Sequence, residues 1–187
     1  MNKKRALLVI DVQNEYITGA LQVTYPSGSL NNIVKAIHTA KEANIQIIIV
    51  QHTSIDEMHT FVKGSKAWEL HDEIKKFTSD FFIEKHYPSA FVHTELESYL
   101  RENGINTIAI CGYATQVCCD TTARYGMHLG FNVEFLYDAT ATLGLETATY
   151  SVSAQELFET AVATQGTVFS KVMRVEEWNK VILKSQS

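Results

Sequence analysis

The residues of this chain that could do covalent chemistry lie far apart in sequence: Asp11, Lys85, and the vicinal pair Cys118 and Cys119. The two cysteines sit in the stretch TIAICGYATQVCCDTTARYG, Thr107 to Gly126. It begins as a β-branched apolar run, breaks at Gly112, and turns into a helix whose first turn carries both thiols. Unpaired N–H groups at a helix start favour a thiolate, so a cysteine there can act as a nucleophile. A carboxylate can take the thiol proton and later give it to a leaving group, while an ammonium holds the negative charge that develops. Each residue alone has a plainer reading. Free cysteines are often buried fillers, an aspartate after a strand often caps a turn or binds a metal, and a lone lysine usually lies at the surface. The set matters only if the fold gathers it.

The elements that would gather it are legible in order. Ala6 to Ile10 is a short, continuously apolar run ending in Asp11, as expected of a parallel strand covered on both faces. A loop follows from Gln13 to Gly28, then a helix from Ser29 to about Ala43 and a second buried strand over Ile45 to Val50. His52 to Lys66 is polar and aperiodic and reads as a loop able to cover a site. A short helix is expected over Ala67 to Ile74, a third strand over Phe81 to Glu84 before Lys85, and a helix over Thr94 to Asn103. Thr107 to Cys111 forms the fourth strand and Gln116 to Leu129 the following helix. Asn132 to Leu136 reads as a fifth strand, Thr149 to Ala163 as a helix, Thr167 to Phe169 as a sixth strand, and Val175 to Leu183 as a closing helix.

Apolar strands alternating with helices imply an α/β three-layer sandwich: a mostly parallel sheet of about six strands with helices on both faces. In such sheets a site lies beyond the carboxyl ends of the strands. That rule selects Asp11 after the first strand, Lys85 after the third and the Cys118 turn after the fourth for one crevice.

Composition narrows the function classes. The 187 residues fit one domain spanning 1–187, and a chain of this size buries roughly 70% of its unfolded surface without needing staples. Three cysteines, two of them adjacent, give no disulfide framework and fit a reducing, cytoplasmic setting. Sixteen Lys and Arg against 21 Asp and Glu, scattered along the chain, leave a net charge of -5 and make nucleic acid an unexpected partner. No apolar run approaches a membrane span, so no membrane partner is expected. No G-x-G-x-x-G follows a strand, which removes a dinucleotide-binding reading.

The segments LLVIDVQNEY at Leu7 to Tyr16, KHYPSAF at Lys85 to Phe91 and GYATQVCCDTTARYG at Gly112 to Gly126 resemble the three signature segments of the isochorismatase-like cysteine hydrolases. Nicotinamidases, N-carbamoylsarcosine amidases and ureidoacrylate hydrolases belong to that superfamily. KGSKAWELHDEI, Lys63 to Ile74, is similar to its glycine-containing loop before a short helix. The resemblance implies Asp11 as general base and acid, Lys85 as the charge-stabilising member and Cys118 as nucleophile. Its G-x-A-T-x-x-C register selects Cys118 over Cys119. It implies a cis peptide before the alanine, here Tyr113–Ala114, with the N–H groups of Ala114 and Cys118 forming an oxyanion hole. Gln13, Tyr16, Trp68, Phe91 and Tyr113 become candidates for contact with a small-molecule substrate, although each aromatic reads equally well as core.

The activity this resemblance implies is hydrolysis of a C–N bond in a small amide, carbamoyl or ureido compound through a thioester. It also implies a homodimer or homotetramer. Metal-dependent nicotinamidases of the superfamily carry an Asp-Trp-His-Pro type stretch where this chain has QHTSIDEMH, Gln51 to His59. His52, His59 and His71 lack paired ligand spacing, so neither metal nor other cofactor is expected. Isochorismatases proper lack the nucleophilic cysteine, so Cys118 stands against vinyl-ether hydrolysis. That activity, and a catalytically silent binding protein on the same scaffold, remain the alternatives. The substrate itself is left to the loops Thr53 to Lys66 and Ala139 to Thr149.

Overall fold

The computed structural model describes residues 3–55 and 59–184. Its strands are β1 (Arg5–Ile10), β2 (Gln46–His52), β3 (Phe81–Lys85), β4 (Thr107–Tyr113), β5 (Asn132–Ala141), β6 (Leu145–Glu146), β7 (Ser151–Val152) and β8 (Lys171–Met173). Its helices are α1 (Ser29–Glu42), α2 (Asp72–Lys75), α3 (Leu96–Glu102), α4 (Asp120–His128), α5 (Ala154–Thr164) and α6 (Val175–Lys184). Six strands form one parallel sheet in the order β3-β2-β1-β4-β5-β8. β6 and β7 make a separate antiparallel pair.

The continuous apolar runs are explained by burial on both sheet faces. Along β1, Leu7 and Val9 enter one core cluster with Ile33 and Ile37 of α1 and Trp178 and Ile182 of α6. Ala6, Leu8 and Ile10 enter the other, with Leu96 and Leu100 of α3 and Ala123 of α4. A strand sandwiched this way has no polar face to display. The result is the expected three-layer α/β arrangement, with β1 and β4 at its centre.

Several boundaries differ from expectation for identifiable reasons. The last strand of the sheet is Lys171–Met173, not Thr167 to Phe169. Residues Gln165–Phe169 instead continue α5 as a π-type turn, where Val168 is exposed and Phe169 stacks beneath the Arg124 guanidinium at 4.2 Å. α5 begins at Ala154 because Ser153 and Glu156 form a reciprocal capping box that closes its first turn. The expected helix over Ala67 to Ile74 shrinks to Asp72–Lys75, capped by His71, whose Nδ1 accepts from the Glu73 N–H at 3.2 Å. Within the loop from His52 to Lys66, residues 56–58 lie outside the described set. No described helix is long and apolar enough to cross a membrane.

Candidate active site

Asp11 leaves β1 with a left-handed backbone, φ 49°, a conformation that aspartate tolerates better than most residues. Its N–H donates to the Val50 carbonyl of β2 at 2.9 Å, so the turn is tied to the neighbouring strand. On the other side of β1, Ile10 is paired with Gly112 of β4. Gly112 has φ 119°, and a Cβ there would sit 1.9 Å from the Ile10 carbonyl oxygen. Only glycine lets β4 pass this close, and that passage carries the Cys118 turn to Asp11. The Tyr113–Ala114 peptide is cis. Thr115–Cys119 then wind as a π-type turn into α4, with Cys118 5% exposed.

Lys85 ends β3, two strands from β1, and its side chain reaches past the end of β2. Its Nζ lies 2.7 Å from Asp11 Oδ2 and donates to Cys118 Sγ at 3.3 Å. Asp11 and Lys85 are both fully buried. Among the described residues, the donors that face the Asp11 carboxylate are the Lys85 ammonium and the Cys118 thiol, neither of them well aligned at rest. Burial raises the Asp11 carboxyl above its usual range, against the pull of Lys85. Burial likewise pushes the Cys118 thiol up to about 12, with the Asp11 charge adding to the rise and Lys85 opposing it. For Lys85 burial acts downward, and the Asp11 charge with the hydrogen bonds to Asp11 and Cys118 outweighs it, so the ammonium stays charged. The resting set is therefore a thiol beside a carboxylate–ammonium pair whose carboxylate is more basic than an ordinary aspartate.

The other sequence candidates separate into two groups. Tyr16 is at the site: Asp11 and Cys118 both add to the burial that raises its phenol, and it takes a backbone hydrogen bond from Ala114. Its ring packs on Phe61 and Tyr113 at centroid distances of 5.2 and 5.8 Å. Tyr113 lies behind it, wholly buried, with its hydroxyl sharing a 3.1 Å hydrogen bond with Ser29.

Gln13 is occupied by the scaffold. Its amide bonds both the N–H and the carbonyl of His52 at 2.9 Å and the Trp68 carbonyl at 2.7 Å, so both of its N–H groups are spent on the scaffold. The Trp68 indole N–H donates to Thr53 Oγ1 at 2.8 Å. Phe91 is buried, its ring stacked on Tyr125 and Phe131 in the core cluster that also holds Cys118. Cys119 and Cys111 are buried, and burial raises both thiols.

Two site residues escaped the sequence reading. His52 ends β2 with Nδ1 3.2 Å from Lys85 Nζ, and Phe61 closes over it with ring centroids 5.1 Å apart. The end-of-strand rule applied to the second strand finds His52, which as a lone loop histidine suggests only a metal ligand. Phe61, in an aperiodic loop with φ 55°, left no signal. Among the described residues no group of three His, Cys, Asp or Glu is placed to hold a metal.

Comparison with known proteins follows the same pattern. A structure from Burkholderia xenovorans LB400 described as an isochorismatase superposes with a TM-score of 0.96 at 35% identity, covering 99% of this chain and 90% of that one. A secreted isochorismatase effector of Verticillium dahliae is 30% identical over 92% of this chain and 89% of its own length. Nicotinamidase 3 of Arabidopsis thaliana is 30% identical over 78% of this chain and 77% of its own. The isochorismatase domain model matches residues 5–176. The chain thus belongs to the isochorismatase family, within the isochorismatase-like cysteine hydrolase superfamily, and is a hydrolase.

Proposed function

We propose that this hydrolase cleaves a C–N bond of a small amide, carbamoyl or ureido compound, with Cys118 as nucleophile and a thioester as intermediate. The observation that carries the reading is the single ammonium of Lys85 within 2.7 Å of Asp11 and 3.3 Å of Cys118 Sγ. Similarity to a nicotinamidase adds support.

Each step has a residue suited to it. As Sγ attacks the substrate carbonyl carbon, its proton passes to Asp11, whose raised basicity and contact with the thiol fit it to accept. The negative charge given up by Asp11 passes through Sγ, where Lys85 steadies it, and ends on the carbonyl oxygen. The carbonyl oxygen becomes an oxyanion facing the N–H groups of Ala114 and Cys118, the first of which exchanges the Tyr16 hydroxyl for it. Asp11 then gives the proton to the nitrogen, the C–N bond breaks, and ammonia or an amine leaves. Water, deprotonated by the same carboxylate, attacks the thioester and expels Cys118, which recovers its proton. The burial that raises the resting thiol suits this order: the proton leaves only when the substrate is there to take up the charge.

Ammonia or amine release from a panel of small amides and ureides tests the reading. Cys118→Ala, with its circular dichroism unchanged, is expected to lower turnover by roughly 10⁴- to 10⁶-fold, the scale seen when a nucleophilic triad member is removed. Cys119→Ala should retain turnover. A fully active Cys118→Ala protein sinks the proposal, and turnover of a vinyl ether with no amine product moves it to the alternative chemistry.

A further inference from the structure

A lysine ammonium has three N–H donors and no lone pair. Around Lys85 Nζ there are three acceptors: Asp11 Oδ2 at 2.7 Å, His52 Nδ1 at 3.2 Å and Cys118 Sγ at 3.3 Å. Because the ammonium can only donate, the His52 nitrogen facing it must carry the lone pair. That fixes the imidazole as its neutral Nε2–H tautomer. The strand register makes the contact: in the parallel β2–β3 pair His52 stands directly opposite Lys85.

The placement of His52 is itself secured at two levels. Gln13 clamps its backbone through both the N–H and the carbonyl at 2.9 Å, and the edge of its ring meets Phe61 at an interplanar angle of 87°. The groups acting on the imidazole are Lys85, at its Nδ1, and His86 beyond; Phe61 is apolar. Burial, then the Lys85 charge, then His86 hold His52 down at about 3, so it stays neutral over the range in which an ordinary histidine titrates near ~6.5.

We propose that His52 is a positioning residue for the hydrolytic step: its Nδ1 lone pair takes the third N–H of Lys85, so the remaining two stay aimed at Asp11 and Cys118. A buried ammonium missing its third acceptor turns toward whatever oxygen is nearest, and the Sγ contact, the longest of the three, is lost first. This role rests on the Cys118 hydrolase reading. The competing role is packing, with the ring serving only as a flat partner for Phe61.

A crossed substitution separates the two roles. His52→Asn keeps an acceptor at the δ position and discards the ring; His52→Phe keeps the ring and discards the acceptor. The readout is the rate of Cys118 alkylation by iodoacetamide as a function of pH, with the modified peptide identified by mass spectrometry. Positioning predicts that His52→Phe slows alkylation and shifts its pH profile, with a loss of roughly 10- to 100-fold for one hydrogen bond to a charge. His52→Asn recovers most of the rate.

Wild-type behaviour in His52→Phe overturns the proposal, as does a loss in His52→Asn equal to that in His52→Phe. Nitrogen-15 shifts of the wild-type imidazole give a second reading that needs no variant. An Nε2–H tautomer that does not titrate between pH 5 and 8 supports the role; an Nδ1–H tautomer, or titration near ~6.5, overturns it. Cys118→Ala keeps the failures distinct. If that variant is fully active the hydrolase reading falls; if it is inactive and His52→Phe is normal, only the role of His52 falls.

Discussion

β1 carries a buried ion pair at each end, and the two are built differently. At its carboxyl end Asp11 has one ammonium at 2.7 Å and the Cys118 thiol as partners, so the four lone-pair sites of its carboxylate are only partly filled. At its amino end Arg5 holds Glu134 of β5 with two parallel N–H bonds at 2.9 and 3.0 Å. The indole N–H of Trp178 adds a third at 2.8 Å and Lys3 a fourth at 3.3 Å. Both carboxylates are desolvated, yet they move in opposite directions. Burial wins at Asp11 and raises it; at Glu134 burial is outweighed by Arg5, Trp178 and Lys3, and the carboxyl is held below its usual range. A saturated carboxylate is locked in one state, whereas an unsaturated one is kept ready to change state. The first joins strands to a helix, and the second suits a proton carrier.

The strongest way to break this contrast is through activity. Asp11→Asn keeps the shape but cannot carry the proton, and turnover is expected to fall by roughly 10²- to 10⁴-fold. Glu134→Gln, at the far end of the same strand, should leave turnover of the folded protein unchanged. A steady-state assay on both settles it, and comparable losses in the two would show that saturation does not sort the pairs by role.

Stability gives a smaller effect with opposite signs. Replacing a buried ion pair whole by well-packed apolar side chains of similar volume is often neutral or stabilising, provided no neighbouring polar group is left unpaired. Asp11→Leu combined with Lys85→Met and His52→Phe removes the pair together with the imidazole acceptor that would otherwise lose its donor, and is expected to raise unfolding stability by about 1 to 4 kcal/mol. Arg5→Met combined with Glu134→Leu leaves the buried Trp178 N–H without its acceptor and should lower stability by about 1 to 3 kcal/mol. Urea unfolding midpoints at one pH measure both. Shifts of the same sign would undo the distinction.

These two ends were not equally visible in the sequence. Leu7 to Ile10 and Ile47 to Val50 announced buried parallel strands because every side chain is apolar, and strands of that kind point to a site at their carboxyl ends. Asp11, Lys85 and Cys118 followed from that rule, while the choice of Cys118 over Cys119 needed the family register. Glu134 gave no sign of itself. In NVEFLY it looks like the polar position of an alternating strand, yet its side chain is 1% exposed, and its partners lie at 3, 5 and 178. A charge satisfied by residues remote in sequence leaves no local pattern. Val168 and Phe169 misled for the reverse reason: their apolar run is spent on an exposed turn and on an arginine face. Gln13 and Phe91 are candidates for substrate contact by analogy alone, and the structure adds the scaffold hydrogen bonds of the one and the ring stacking of the other.

The least effect, and the most direct on the titration itself, is the pH dependence of stability. Glu134 titrates lower in the folded chain than its ordinary 4.5, so its stabilising contribution is full above that value and is lost as pH falls through the folded value. Asp11 titrates above its ordinary 3.8, so its contribution has the other sign: full below 3.8 and lost as pH rises through the folded value. Each proton changes the slope by at most about 1.4 kcal/mol per pH unit. Unfolding midpoints measured from pH 3 to 7 should therefore show a shallower acid limb for Glu134→Gln than for wild type. For Asp11→Asn the limb should steepen, because the proton that partly offset acid destabilisation has no site. Should both substitutions tilt the limb the same way, the two carboxylates share one electrostatic character, and the proton-carrying role of Asp11 would need a source other than its unsaturated burial.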